Sequence, residues 1–144
     1  MIELVLDANV ALDWFLPSET GAAYSQPLAL AASKGNFRFH VPLHFDVEVC
    51  GQLVKSHRRK PDPYSKKWLA TALETLDILP VDTHAIGVNF KLLGDLAGAY
   101  GLTVYDVPYL HLARMLDLPI ASRDRGIISA CKTWHVVHWQ PDFL

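Results

Sequence analysis

Cysteine and methionine are scarce in this chain, two of each among 144 residues. Cys50 and Cys131 do not have CxxC spacing. No disulfide framework or thiolate metal motif is expected, and the simplest assignment is two reduced thiols in a cytoplasmic protein. Charge is sparse too: 19% of residues are charged, below the usual share of roughly a quarter. The net charge of −2 gives no global attraction to nucleic acid, so such a role needs a local basic patch. No apolar run reaches the roughly 18 residues of a membrane span. The first residues, Met1 to Asp7, enter a strand pattern without a basic leader, so no signal peptide is expected. Repeats, low-complexity segments and linkers are absent, and no domain boundary is drawn within residues 1–144. What is present is apolar: 51% hydrophobic residues exclude a disordered chain and suffice for one buried core.

Ile2–Leu6 reads as a buried strand ending at Asp7. A short helix over Asn9–Leu16 stops at Pro17, and an Ala/Leu-rich helix over Ala22–Ser33 ends at Gly35. Pro27 inside that helix predicts a kink or a break into two. Phe37–Val41 predicts a second strand, and His44 to Arg58 a helix whose core stripe is Phe45, Val49 and Leu53. Glu48 borders that stripe, whereas Asp46 falls on the wet side. Tyr64–Leu76 predicts a helix, Ile78–Val81 a strand interrupted by Pro80, and Thr83 to Tyr100 a long helix stopped by Gly101. After these come a helix starting near Asp106, a strand Leu118–Ser122, a short helix near Gly126–Lys132 and a last strand His135–Trp139. Strands alternating with helices argue for an α/β sandwich with a mostly parallel sheet.

Four acids stand out in that layout. Asp7, Asp106 and Asp124 adjoin carboxyl ends of predicted strands, and Glu48 lies in the second turn of the helix after Phe37–Val41. Each has a plainer reading. Asp7 and Asp124 suit turns or helix caps, and Asp106 suits a helix dipole with Pro108 in the first turn. Glu48 resists that reading, because a carboxylate beside an apolar face needs a partner. Taken together, four carboxylates on one edge repel unless a cation sits among them. A set of hard oxygen donors without Cys or His fits Mg²⁺ or Mn²⁺ better than zinc. Such an ion can activate water against a phosphodiester, so metal-dependent phosphodiester hydrolysis is the expected chemistry.

The segments VLDANVALDW, VPLHFDVEVCGQL and LTVYDVPYLHLARMLDLPIASRD closely resemble the PIN-domain ribonucleases, specifically the VapC-type toxins of bacterial toxin–antitoxin pairs. The resemblance covers nearly the whole chain in order and spacing, and its first and last motifs are the specific ones. It implies a PIN-like three-layer α/β/α sandwich and a Mg²⁺- or Mn²⁺-dependent endoribonuclease, with Asp7, Glu48 and Asp106 as metal ligands. Asp124 completes the acidic set, at the most variable of the family's four positions, and Asn9 and Ser122 take the small polar positions beside the first and last acids. It also implies an RNA substrate, a protein antitoxin and a homodimer. The chain departs from the family in having Gly51 where Asn often follows the helix Glu, and Pro108 in place of a small residue.

Substrate contact calls for positive charge. Six of the 13 basic side chains lie in one short segment, Lys55, Arg58, Arg59, Lys60, Lys66 and Lys67. A solvated helix end explains them as well as an RNA-binding patch does. Arg123 and Arg125 flank Asp124 and could meet the scissile strand or a tail of the antitoxin. The seven histidines are scattered, which does not favour zinc, and the tryptophans read as core or interface. Two other phosphoryl-transfer classes fit less well. A haloacid-dehalogenase-like phosphatase wants a second Asp where this chain has Asn9, and a response-regulator receiver wants a late Lys better placed than Lys132. A PIN-like domain that only binds RNA or protein is the non-enzymatic alternative, and four intact acids argue against it.

Overall fold

A computed structural model describes residues 1–144. Its elements run β1 (Ile2–Leu6), α1 (Ala8–Asp13), α2 (Glu19–Ser33), β2 (Phe37–Pro42), α3 (Phe45–Arg59), α4 (Lys66–Asp77) and β3 (Val81–His84). They continue with α5 (Phe90–Tyr100), α6 (Val107–Leu116), β4 (Ile120–Ala121), α7 (Arg125–Trp134) and a final 3₁₀ turn at Pro141–Phe143. The four strands form one sheet in the order β3-β2-β1-β4, and every pairing is parallel. The chain thus moves outward from β1 through β2 to β3, then returns to lay β4 on the other side of β1. That reversal puts a topological switch point between β1 and β4, where open α/β sheets leave a crevice beyond their carboxyl ends.

Parallel strands covered by helices must be apolar on both faces. Leu4, Val5 and Leu6 of β1 are fully buried, as are Phe39 and Val41 of β2. The register Ile2↔Phe37, Leu4↔Phe39 groups Ile2, Leu4, Phe37 and Phe39 on one face, where Trp14 meets Phe39 at 6.0 Å between ring centroids. The α3 stripe of Phe45, Val49 and Leu53 is buried as its spacing predicts, and Asp46 is exposed. Helix α6 packs on β1 and β2 and buries Val107, Tyr109, Leu110, Leu112 and Ala113. Gly101 closes α5 in the left-handed conformation, φ 63°, that its position requires.

Several boundaries differ from the sequence pattern. Pro27 does not divide α2, which runs unbroken from Glu19 to Ser33. One missing N–H donor in a helix of 15 residues is outweighed by the docking of Gly21, Ser25 and Leu28 into the interior. The third strand begins after Pro80, and Thr83 and His84 pair with Val41 and Pro42 instead of opening a long helix. That helix starts only at Phe90, where the Asn89 side chain accepts from the Leu92 N–H. The expected last strand reduces to one parallel bridge, Ile120↔His138, because His135 is taken up as the left-handed cap of α7. The two cysteines are unpaired, Cys50 exposed and Cys131 buried, and burial pushes the Cys131 thiol up to about 11.

The continuity of α2 gives a direct test. Pro27→Ala restores a backbone donor inside an existing helix, and urea denaturation should show a gain in stability of up to about 3 kcal/mol. A loss of stability would mean that the proline ring itself is needed where it packs.

Candidate active site

Three helix N-termini and one helix flank meet at the carboxyl edge of the sheet. Asp7 leaves β1 and stands at the N-cap of α1, yet its side chain makes no capping bond. It is buried, 3% exposed, and its Oδ2 accepts instead from the Ser122 hydroxyl at 2.6 Å. Asp106 stands at the N-cap of α6, also without a capping bond, and its Oδ2 accepts from the Thr103 N–H at 3.2 Å. Asp124 does cap its helix, accepting from the Ile127 N–H at 2.9 Å. Glu48 projects from the first turns of α3 and accepts from the Tyr109 hydroxyl at 2.9 Å. The capping explanation therefore holds for Asp124 and fails for Asp7 and Asp106.

The four carboxylates are electrostatic neighbours. Burial raises the Asp7 pKa from 3.8 to about 7; the Ser122 hydrogen bond opposes this, and the charges of Asp106, Glu48 and Asp124 add to it. The Tyr109 phenol is pushed far above its ordinary range by burial and by Glu48, so it remains a hydrogen-bond donor. Proximity does not amount to convergence. No three His, Cys, Asp or Glu side chains converge closely enough to hold a metal ion as they stand. The two observations measure different ranges: Coulomb coupling in a poorly solvated site reaches well beyond coordination distance. Each acid is tethered through one oxygen to a donor of the protein.

Ser122 is fully buried and joins two of the acids, donating to Asp7 and accepting from the Asp124 N–H at 3.0 Å. Asn9 accepts from the Arg123 N–H at 3.3 Å. Arg123 is engaged within the protein: its guanidinium makes a two-pronged bond to buried Asp13, Nε to Oδ2 at 2.5 Å and Nη2 to Oδ1 at 2.6 Å. Arg125 is exposed at the start of α7 and has no ion-pair partner. Lys55, Arg58 and Arg59 line a groove of about 660 Å³ along α3, with Asp46, Val47, Cys50, Gly51 and Val54. A smaller depression beside it, about 370 Å³, holds Glu48, His44, Gln52 and Tyr105 and shares Val47 and Gly51 with the groove. Lys60 is exposed at the end of α3.

Asp13, Tyr109 and Tyr24 were not flagged by the sequence pattern. Tyr24 accepts from the Ser122 N–H at 3.2 Å and donates to the Trp139 carbonyl at 2.7 Å. Asp13 carried one usable signal, an acid within the apolar run ANVALDW, whereas the tyrosines look like any core aromatic. The histidines do not gather at one point: His40 sits between Glu3 and His84, while His138 meets the Ser122 carbonyl and His44 shares the depression with Glu48.

No family model matches the sequence. The chain is 27% identical over 135 residues to ribonuclease VapC3 of Mycobacterium tuberculosis, covering 94% of this chain and 92% of that one. That similarity supports the PIN-domain, VapC-type resemblance read from the sequence. Two solved structures share the PIN fold with it. VapBC2 from Rickettsia felis, bound to a DNA fragment from their promoter, superposes with a TM-score of 0.60 at 14% identity, over 96% of this chain and 98% of that one. PAE2754 from Pyrobaculum aerophilum gives 0.59 at 15% identity, over 89% and 78%. The all-parallel sheet flanked by helices agrees with the PIN-like α/β sandwich expected from the sequence.

The raised Asp7 pKa makes the stability of this chain sensitive to pH. Between about 3.8 and about 7 the folded chain keeps a proton that the unfolded chain has released. Asp7's contribution is therefore fully present below 3.8 and is lost as pH rises through about 7. In chelator, Asp7→Asn should remove this loss and exceed the parent in stability near pH 8, by up to about 4 kcal/mol. Parallel pH–stability curves for the two proteins would refute it.

Proposed function

We propose that the chain is a metal-dependent endoribonuclease and the toxin of a toxin–antitoxin pair, acting through Asp7, Glu48, Asp106 and Asp124 with Mg²⁺ or Mn²⁺. The observation that carries this reading is the burial of Asp7 among three further carboxylates at the switch point of the sheet. A divalent cation is the natural partner for such a set, since it removes the cost of ionising a buried acid beside other acids. The donors fit it: all are hard oxygens, and each carboxylate uses one oxygen in a protein hydrogen bond, leaving the other for an ion. The similarity to a curated ribonuclease over nearly the full chain supports the choice of reaction.

Bound Mg²⁺ or Mn²⁺ supplies charge stabilisation at a phosphodiester and activation of water for in-line attack. The protein's own part is orientation. The Ser122 hydroxyl fixes the rotamer of Asp7, and the Tyr109 hydroxyl holds Glu48 at the end of the groove. Asp106, tied to the turn at Thr103, presents its carboxylate at the start of α6. The groove with Lys55, Arg58 and Arg59 continues into the depression holding Glu48, so RNA phosphates would be drawn along α3 toward the acids. Lys60 and Arg125 extend the positive rim.

A protein antitoxin and a second copy of the chain complete the reading. Helix α5 buries none of its residues, and Phe90 is 95% exposed, so this apolar helix suits a protein partner. No helix is long and apolar enough to cross a membrane.

EDTA should stop cleavage of RNA by the purified chain, and added Mg²⁺ or Mn²⁺ should restore it. Asp7→Asn should lower the rate by more than about 100-fold while leaving the circular dichroism spectrum unchanged. Cleavage that ignores chelator, or an Asp7→Asn variant as fast as the parent, would sink the assignment. RNA binding without cleavage by the metal-loaded parent would leave a binding domain in its place.

A further inference from the structure

Asp13 lies on α1 six residues beyond Asp7, and only 6% of its side chain is exposed. A carboxylate that deep needs close to full compensation, and this one has three donors. The Arg123 guanidinium grips both oxygens, and the Ser25 hydroxyl donates to Oδ2 at 2.5 Å. The neighbourhood is built to fit. A Cβ on Gly21 would stand 2.6 Å from the Asp13 carboxyl, so only glycine lets the first turn of α2 approach so closely. The Ser25 carbonyl in turn accepts from the Trp14 indole at 2.9 Å. Helices α1 and α2 therefore form a rigid seat for one carboxylate, and that carboxylate holds one arginine.

The arginine lies between Ser122 and Asp124. Ser122 donates to Asp7 and accepts from the Asp124 N–H, and the Arg123 N–H reaches Asn9 on α1. Beyond β4, which is only two residues long, this segment has no sheet partner of its own to fix it. We propose that Asp13 and Arg123 are a positioning pair that fixes the segment between β4 and α7, and through it Ser122 and Asp124, against Asp7. Neither residue touches the reacting atoms. A two-pronged guanidinium–carboxylate bond sets orientation as well as distance, which a lysine could not reproduce. Arg123, which the sequence suggested as a substrate contact, is thereby assigned to the scaffold. The consequence for metal binding rests on the reading of the four acids as a metal site.

The test uses the full chain and two readouts. Hydrogen exchange should show Ser122, Arg123 and Asp124 amides losing protection in Asp13→Asn and in Arg123→Lys, with β1 and β2 amides unchanged. Mn²⁺ affinity, measured by calorimetry without RNA, should fall by about tenfold in both, the scale on which outer partners tune a metal site. Arg123→Lys guards against misfolding, because it keeps the charge and leaves the Ser25 bond to Asp13 in place. Unchanged exchange at Ser122–Asp124 overturns the proposal, as does parental Mn²⁺ affinity in a variant whose segment has loosened. Asp7→Asn run alongside separates the two ideas. If that variant also binds Mn²⁺ like the parent, the metal reading fails, and the exchange result alone decides the positioning.

Discussion

The hydrogen bond from Ser122 to Asp7 joins the first strand to the fourth, and the acidic edge depends on it. It sits at the point where the parallel sheet reverses direction, between two strands that more than a hundred residues of chain separate. Burial alone would hold Asp7 protonated and silent. The Ser122 hydroxyl favours the ionised form and fixes the carboxylate's orientation, while three other acids oppose ionisation. The site is therefore balanced between a neutral buried acid and a charged one, and a cation at the edge would decide which form prevails.

Support for that balance comes from opposite sides. Tyr109, on α6, holds Glu48 of α3, so two helices distant in sequence are fixed at the level of one carboxylate. Tyr24, on α2, accepts from the Ser122 N–H, and His138 meets the Ser122 carbonyl. Asp13 and Arg123 secure the next residue. Each acid is held by a neutral donor or a backbone N–H, and the Arg123 guanidinium is tied to a fifth acid outside the set. The pairing commits the charge of Arg123 to Asp13 while locking the segment that carries Ser122 and Asp124.

Much of this was legible in local pattern. Burial of Leu4, Val5 and Leu6, the Phe45–Val49–Leu53 stripe and the Gly101 stop follow from spacing and from glycine's freedom at positive φ. The four acids were legible as a group because strand ends in an alternating α/β chain share an edge. The partner of Arg123 was not legible, since a basic residue next to an acid in sequence does not reveal the more distant carboxylate that it grips. Thr83 and His84 were assigned to a helix because they directly precede an apolar period that begins at Ala85, but an available edge on β2 claims them for the sheet. Pro27 looked like a breaker, and the packing of α2 on both sides of it keeps the helix whole.

By itself, the sequence determined the class of fold, the apolar faces and which carboxylates could gather. These depend on periodicity and chain order, which are local. Only the tertiary structure decided what each acid does with its hydrogen bonds: Asp124 caps a helix, while Asp7 and Asp106 do not. It also decided that Asp13 is buried beneath Arg123, and that Tyr109 faces Glu48. Those outcomes come from contacts between residues far apart in the chain, where burial makes an unpaired polar group costly and the nearest donor, not the nearest neighbour in sequence, becomes its partner.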